Sequence, residues 1–236
     1  MGKRIIQQAR GKGSLTYRVR KKAFKYKASY PKQLSENMKV IKLFSSAGHS
    51  APLIKITTED GKIFYNLAAQ KVYEGQKLGN QGNESGDIAQ LKDIKTGTKI
   101  FNIENCFQDG GKLVKTGGNS ALVLGKQDGK VRVMMPSKKE KTFDERCRAT
   151  VGELSGQGRL DKPVLKAGKK YYIKKAKSKL WPRTSAVKMN AIDHPFGSGR
   201  GKRIKSKIIK RFASPGQKVG LLRPRRTGRK NRWVQI

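Results

Sequence analysis

The residues in this sequence best suited to chemistry lie in the motif Asp193-His194-Pro195. Histidine titrates near neutral pH, and a neighbouring carboxylate suggests a general base. However, residues adjacent in a chain rarely face each other across a hydrogen bond, and no Ser or Cys nucleophile motif accompanies this pair. We therefore predict that the chain has no catalytic residue and is not an enzyme.

Metal binding and disulfide formation are equally poorly supported. The only other histidine is His49, in a loop with Gly and Pro, so the chain cannot build a histidine cluster. Cys106 and Cys147 are 41 residues apart and belong to no Cys-x-x-Cys pair. We predict that both are reduced, small, buried residues, and that the protein takes no metal and no cofactor.

A glycine-rich stretch, Gly197-Ser-Gly-Arg-Gly201, follows the Asp-His-Pro motif. Glycine allows the backbone to approach a phosphate closely. A P-loop or Rossmann motif needs a strand before the glycines and a helix after them, whereas here a basic run follows. Composition alone leaves a flexible linker as the alternative.

Positive charge is concentrated at the two ends of the chain. Residues 1–35 contain 11 Lys/Arg and no acid, and residues 162–236 contain 24 Lys/Arg against the single acid Asp193. These ends carry 34 of the 39 net positive charges, interleaved with aromatic side chains. Cations that neutralise phosphates and aromatic rings that stack on unpaired bases indicate a nucleic-acid partner. No DNA-recognition helix is evident, which favours RNA. We interpret His194 as an RNA contact and His49 as either a loop residue or an RNA contact.

The sequence does not favour a membrane partner. No apolar run approaches the roughly 18 residues that a membrane-spanning helix needs, and the first residues lack the apolar stretch of a secretory signal. Gly and Pro interrupt the basic ends, so no long amphipathic helix is expected there. We predict a cytoplasmic protein that does not bind membranes.

The elements that would position these residues are mainly β-strands. Alternating runs flank Asp60-Gly61 and Asp128-Gly129, which predicts two hairpins. We expect a basic arm over 1–35, an OB-fold-like barrel of about five strands over 36–80, an SH3-like barrel over 86–160 and a long irregular basic extension over 161–236. Segment 80–86 is the expected linker. Segment 142–145 is a candidate helical turn, and residues 166–179 are a candidate short helix.

Several motifs are specific enough to carry a family resemblance. They include Arg10-Gly-Lys-Gly-Ser-Leu-Thr-Tyr-Arg, Ile94-Lys-Thr-Gly-Thr-Lys-Ile-Phe-Asn-Ile-Glu, Cys147-Arg-Ala-Thr-Val-Gly-Glu-Leu, Trp181-Pro-Arg, Met189-Asn-Ala-Ile-Asp-His-Pro-Phe-Gly and Lys218-Val-Gly-Leu-Leu-Arg-Pro-Arg-Arg-Thr-Gly-Arg. In this order they resemble the universal second protein of the large ribosomal subunit, in its archaeal and eukaryotic branch. The resemblance spans essentially the whole chain.

The resemblance implies an OB-fold followed by an SH3-like barrel, both bound to large-subunit rRNA. It implies an extension that reaches toward the peptidyl transferase region, and support of subunit association, tRNA binding and peptide-bond formation while RNA performs the chemistry. It further implies neighbouring ribosomal proteins as partners, a contact with the small subunit and one copy per ribosome. The histidine that this family places near the active centre corresponds to His194.

Combining the charge pattern with the resemblance, we predict two sets of rRNA-binding residues. The arm contributes Arg4, Arg10, Lys12 and Arg18. The extension contributes Trp181, Arg183, Asn190, Asp193, His194, Pro195, Gly197, Gly199, Arg200, Arg223, Arg225, Arg226 and Arg229. The alternative interpretation of the charge is a free nucleic-acid chaperone or DNA-compacting protein.

The chain departs from the family pattern at two positions. Ser198 stands where the family has the middle glycine of three, which is acceptable unless that position needs positive φ. His49 stands where the family tends to have Arg, so a phosphate contact at that loop is open.

Overall fold

The computed structural model describes residues 2–199 and 212–220. The chain divides into two compact units. One comprises residues 19–177, and the other combines the first 18 residues with the segment from 178 onward. Within the described residues, no helix is long and apolar enough to cross a membrane.

The first sheet of the 19–177 unit has four antiparallel strands. They are β1 (Met38–Phe44), β2 (Leu53–Thr58), β3 (Ile63–Leu67) and β4 (Lys77–Leu78), in the order β3-β2-β1-β4. Alternation places Met38, Val40, Ile54 and Ile56 in one core, as a half-buried strand requires. The predicted hairpin at Asp60-Gly61 is confirmed by the β2–β3 pairing, although this sheet has four strands rather than about five.

The second sheet has six antiparallel strands. They are β5 (Ile88–Gln90), β6 (Lys99–Phe101), β7 (Ala121–Gln127), β8 (Lys130–Met134), β9 (Glu140–Asp144) and β10 (Arg148–Val151), in the order β5-β10-β6-β7-β8-β9. Ala89 on edge strand β5 and Phe143 on edge strand β9 belong to the same core, so the sheet curls around it. The hairpin predicted at Asp128-Gly129 joins β7 to β8.

This architecture confirms the predicted fold class. The protein is mainly β, an OB-fold followed by an SH3-like barrel, with basic segments at both ends. The exact domain boundaries at 35, 80, 86 and 160 stay a prediction.

Helices are few and short in the described chain. The helix expected within 166–179 is observed as α2 (Ala167–Ala176). A helix that was not expected, α1 (Ile6–Gly11), lies in the arm, where the Gln8 side chain accepts a hydrogen bond from the backbone N–H of Ile5. The expected helical turn at 142–145 is wrong, because β9 runs to Asp144 and pairs with β8.

A buried polar network connects residues of the first sheet with residues in and beside the second sheet. The Asn66 amide donates to Thr150 Oγ1 at 3.0 Å, and the Asn102 amide donates to Asn66 Oδ1 at 2.8 Å. Beside it, the Arg148 guanidinium donates to Glu104 Oε1 at 2.6 Å, and both side chains are almost fully buried. Since buried polar groups need partners, this network specifies how β3, β6 and β10 meet.

Candidate nucleic-acid interface

The Asp-His-Pro motif lies in a loop closed by its own backbone. The N–H groups of Asp193 and His194 both donate to the Asn190 carbonyl, at 3.0 and 3.2 Å, and Gly197 N–H donates to the His194 carbonyl at 2.8 Å. Gly197 lies so close to the Asn190 carbonyl that a Cβ at this position would collide with it. We predicted that glycine here allows the backbone to approach a phosphate, whereas the structure shows that Gly197 is needed by the loop itself.

His194 is buried and has a defined hydrogen-bonding state. Its Nδ1 accepts a hydrogen bond of 3.0 Å from the backbone N–H of Phe196, and the two rings lie 5.3 Å apart. Burial lowers the pKa of the His194 imidazole below its ordinary value. Both observations favour the neutral ring with its proton on Nε2. His194 can therefore donate a hydrogen bond through Nε2, while Nδ1 is already occupied.

Asp193 has a partner other than the neighbouring histidine. Its carboxylate lies 3.7 Å from the ammonium of Lys3, and Lys3 N–H donates to the Ile192 carbonyl at 2.8 Å. The expectation that Asp193 and His194 do not face each other agrees with these contacts. The ion pair is solvent-exposed and contributes little stability, but it holds the arm against the loop.

Ser198 adopts a positive φ, which is the conformation in which serine is less favourable than glycine. Its φ is 57°, a left-handed conformation that costs a non-glycine residue energy. The Ser198 hydroxyl accepts a hydrogen bond of 3.0 Å from Ala191 N–H, and Ser198 N–H donates to the Met189 carbonyl at 3.1 Å. These two bonds hold Ser198 in this conformation.

Two cavities, of about 340 and 540 Å³, both include His194 in their lining. The smaller is also lined by Ile6, Pro182 and Arg183, and the larger by Arg4 and Pro195. Each therefore combines an apolar surface with an arginine. A base or sugar with its phosphate fits this combination, and the Nε2–H of His194 supplies a hydrogen-bond donor.

Of the predicted residues, Arg4 of the arm and His194 and Pro195 of the Asp-His-Pro loop line the same cavity. Exposed side chains belong to Arg4, Lys12, Arg18, Arg183, Asn190 and Pro195. Arg10 lies over the Tyr17 ring at 5.9 Å, Trp181 is half-buried, and Gly199 is exposed. The remaining predicted residues, Arg200, Arg223, Arg225, Arg226 and Arg229, lie outside the described residues.

The remaining candidate residues are His49 and the two cysteines. His49 Nδ1 lies 3.0 Å from the Ser46 hydroxyl, and the His49 ring packs against Phe24 at 5.5 Å. Cys147 is buried as predicted, whereas the prediction for Cys106 is wrong because this cysteine is exposed. Cys106 follows the last residues of the β6 region in a surface turn capped by Asp109, so no core is available to cover it. Over 2–199 and 212–220, no three His, Cys, Asp or Glu residues are grouped as metal ligands would be.

Sequence reasoning missed two contributors to this region, Lys3 and the Ser198 hydroxyl, and it also missed the Glu104–Arg148 pair in the 19–177 unit. For the pair a signal was present, because Arg148 lies in the strand Arg148–Val151, whose other residues suit a core. A charged residue at such a position requires a buried partner. For Lys3 and Ser198, no local pattern identifies the partner.

Two β-sheets, a loop with a buried histidine and sequence ends rich in Lys and Arg define a strongly basic, mainly β protein. Comparison with known proteins narrows this class. The family model of the C-terminal domain of ribosomal proteins L2 matches residues 84–214. The large ribosomal subunit protein uL2 of Archaeoglobus fulgidus is 42% identical over 234 residues, covering 97% of this chain and 99% of the relative. The uL2 proteins of Korarchaeum cryptofilum and Hyperthermus butylicus are 39% and 41% identical, each over 98% of this chain. The chain belongs to the ribosomal protein L2 family, in its archaeal branch.

Proposed function

We propose that this chain is a structural constituent of the large ribosomal subunit that binds large-subunit rRNA through its basic arm and extension. The observation that carries the proposal is the charge distribution, in which 34 of 39 net positive charges lie in the two terminal segments. Phosphates packed within folded RNA repel each other, and fixed cations reduce that repulsion. The relatives, which are named as large-subunit proteins and match nearly the whole chain, support the same assignment.

The arm and the loop contribute different kinds of contact to this function. Arg4, Lys12 and Arg18 are exposed cations suited to phosphates. The Asp-His-Pro loop, by contrast, offers the Nε2–H of a buried neutral imidazole between two cavities. We assign the loop to a contact with unpaired nucleotides and the arm to neutralisation of the RNA backbone.

His194 acts in this proposal as a positioning group and not as a catalyst. Its Nδ1 is occupied by the Phe196 N–H, and its burial disfavours the imidazolium. The extension reaches toward the peptidyl transferase region, where it supports tRNA binding and peptide-bond formation by ordering RNA. The protein also supports subunit association, contacts neighbouring ribosomal proteins, is present in one copy per ribosome and resides in the cytoplasm.

Sedimentation of a native lysate through a sucrose gradient at about 0.5 M salt tests the proposal. Simple electrostatic binding weakens by roughly 0.7–0.9 log units per neutralised phosphate for each decade of salt. An integral component remains with the large subunit under these conditions. Release to the top of the gradient contradicts the proposal and favours a free chaperone.

Reconstituted subunits test the separate roles of His194 and of residues 181–236. Subunits with His194→Ala should assemble with nearly normal rRNA binding but synthesise peptides more slowly. Unaltered synthesis would remove the special role of His194. A chain lacking residues 181–236 should fail to assemble stably, and normal subunits from it would show that the barrels suffice.

A further inference from the structure

A groove in the 19–177 unit, separate from the Asp-His-Pro loop, has a form suited to a nucleotide. It lies between the segment 20–23 and helix α2, and its volume is about 580 Å³. That volume accommodates a base with its ribose and phosphate. None of the residues discussed above for the arm or the loop lines it.

Three alanines, Ala23, Ala47 and Ala176, are part of the apolar lining of the groove, and we call them its floor. The Ala23 carbonyl accepts hydrogen bonds from Gly48 N–H at 2.8 Å and from the Ser46 hydroxyl at 3.1 Å. Any side chain at position 48 would collide with that carbonyl, so glycine allows the 46–48 loop to lie directly against Ala23.

One wall of the groove carries an exposed aromatic ring. Tyr172 on α2 is 68% exposed, so most of its aromatic side chain is open to a ligand. Its ring meets that of Tyr171 edge-to-face at 5.4 Å, and the Lys175 ammonium lies 5.5 Å from the Tyr171 ring centre. These contacts hold the ring in place without covering it.

Four lining residues of the groove are cationic, namely Arg20, Lys21, Lys22 and Lys175, and we call them its rim. None of the described lining residues is acidic. Four uncompensated cations around an apolar floor favour an anionic ligand with a flat apolar part. An apolar ligand gains nothing from the cations, and a duplex, whose bases are stacked inside, gains nothing from the exposed ring.

We propose that this groove binds an unpaired RNA nucleotide, with the base against Tyr172 on the alanine floor and the flanking phosphates on the four rim cations. This inference rests on the proposed function and deepens it, because it assigns a site for a single-stranded segment to the 19–177 unit. Stacking of a base on an aromatic side chain is tolerant of sequence, so the site selects unpaired over paired RNA and not one base over another.

The test uses the full chain and a single-stranded RNA decamer that carries 2-aminopurine, whose fluorescence falls when the base stacks. Tyr172→Ala should weaken decamer binding between about 5- and 100-fold and remove the quench. Ala47→Leu, which fills the floor without adding an aromatic ring, should do the same. The matched control is Tyr73→Ala, because Tyr73 is 63% exposed and lies outside the groove. A duplex of the same sequence should bind the wild type and Tyr172→Ala equally.

Three outcomes overturn the site. One is a Tyr172→Ala chain that quenches and binds like Tyr73→Ala, and another is a duplex that loses as much affinity as the decamer. The third is an acidic oligopeptide that displaces the decamer at equal concentration, which would assign the groove to a protein segment.

Binding of large-subunit rRNA is measured in parallel. If the wild type binds that rRNA but the groove variants change nothing, only the groove proposal fails, whereas loss of rRNA binding by the wild type contradicts the proposed function.

Discussion

The hydroxyl of Tyr30 lies 2.6 Å from Oγ1 of Thr150, a residue 120 positions further along the chain. The same hydroxyl donates to the Asn102 carbonyl at 2.7 Å, so the Thr150 hydroxyl is the donor in the first contact. Tyr30 is 5% exposed, and burial raises the pKa of its hydroxyl, which stays protonated. The segment before the first strand is thus fixed to the second sheet by a buried hydrogen-bond chain.

Tyr30→Phe should lower the free energy of unfolding by about 1–3 kcal/mol, since it leaves the Asn102 carbonyl and the Thr150 hydroxyl with one fewer partner in the core. Urea denaturation of the full chain measures this difference. Tyr73→Phe is the matched control, because Tyr73 is 63% exposed and should show no change. Equal stability of Tyr30→Phe and the wild type would mean that the network contributes nothing.

Glu104→Ala should lower the free energy of unfolding by about 3–5 kcal/mol, because it leaves the buried Arg148 guanidinium without its carboxylate. Glu104 also accepts hydrogen bonds from the N–H groups of Gly110 and Arg148. The double variant Glu104→Leu/Arg148→Met should lose less than the two single variants together, since it removes both charges. Asp144→Ala, which breaks the exposed pair with Arg146, is the control and should change little. A cost for Glu104→Ala no larger than that of the control would contradict the prediction.

Thiol labelling should distinguish the two cysteines. Cys106 is exposed, whereas Cys147 is buried, and burial raises the pKa of its thiol to about 11. Because the thiolate is the reactive form, one thiol per folded chain should react with iodoacetamide at pH 7.5, and two should react in denaturant. Cys106→Ser should abolish the reaction of the folded chain. Equal labelling of both cysteines in the folded wild type would contradict the burial of Cys147.

The pKa of His194 should be lower in the folded chain than in the unfolded chain, because the side chain is buried. In the folded chain its pKa is below the ordinary value of 6.5, so the unfolded chain takes up a proton first as the pH falls. The neutral form thus contributes stability that is fully present above about pH 6.5 and is lost as the pH falls toward the lowered pKa. NMR titration of His49→Gln, which leaves His194 as the only histidine, measures that pKa. A value above 6.5 would contradict the hydrogen bond from Phe196 N–H.

Gly197→Ala should open the Asp-His-Pro loop, because the added methyl group collides with the Asn190 carbonyl. Hydrogen-exchange mass spectrometry of residues 189–199 should then show lost protection. Gly11→Ala is the control, since no atom lies within 4 Å of a Cβ at the end of α1. Alanine is also the better helix former, so the control should be neutral or slightly stabilising. Unchanged protection in Gly197→Ala would show that the loop tolerates a different path.

Much of the fold could be predicted from local pattern. The hairpins at Asp60-Gly61 and Asp128-Gly129 depend on two turn residues between alternating strands, and α2 depends on a short run of good helix formers. Strand β9 could not be predicted, because its exposed positions are polar and only pairing with β8 makes it a strand. Helix α1 is six residues long, too short to be stable without the contacts of its ends.

The sequence by itself determined the family and predicted the class of partner. Charge is additive along the chain, and motifs such as Met189-Asn-Ala-Ile-Asp-His-Pro-Phe-Gly are contiguous, so neither requires a fold to be recognised. Only the tertiary structure decided which groups meet. The contact of Tyr30 with Thr150, the positive φ of Ser198 and the exposed ring of Tyr172 above a floor that includes Ala47 depend on sheet topology and loop closure. Such contacts join residues far apart in the chain, and their free energy comes from burial and geometry that no local pattern records.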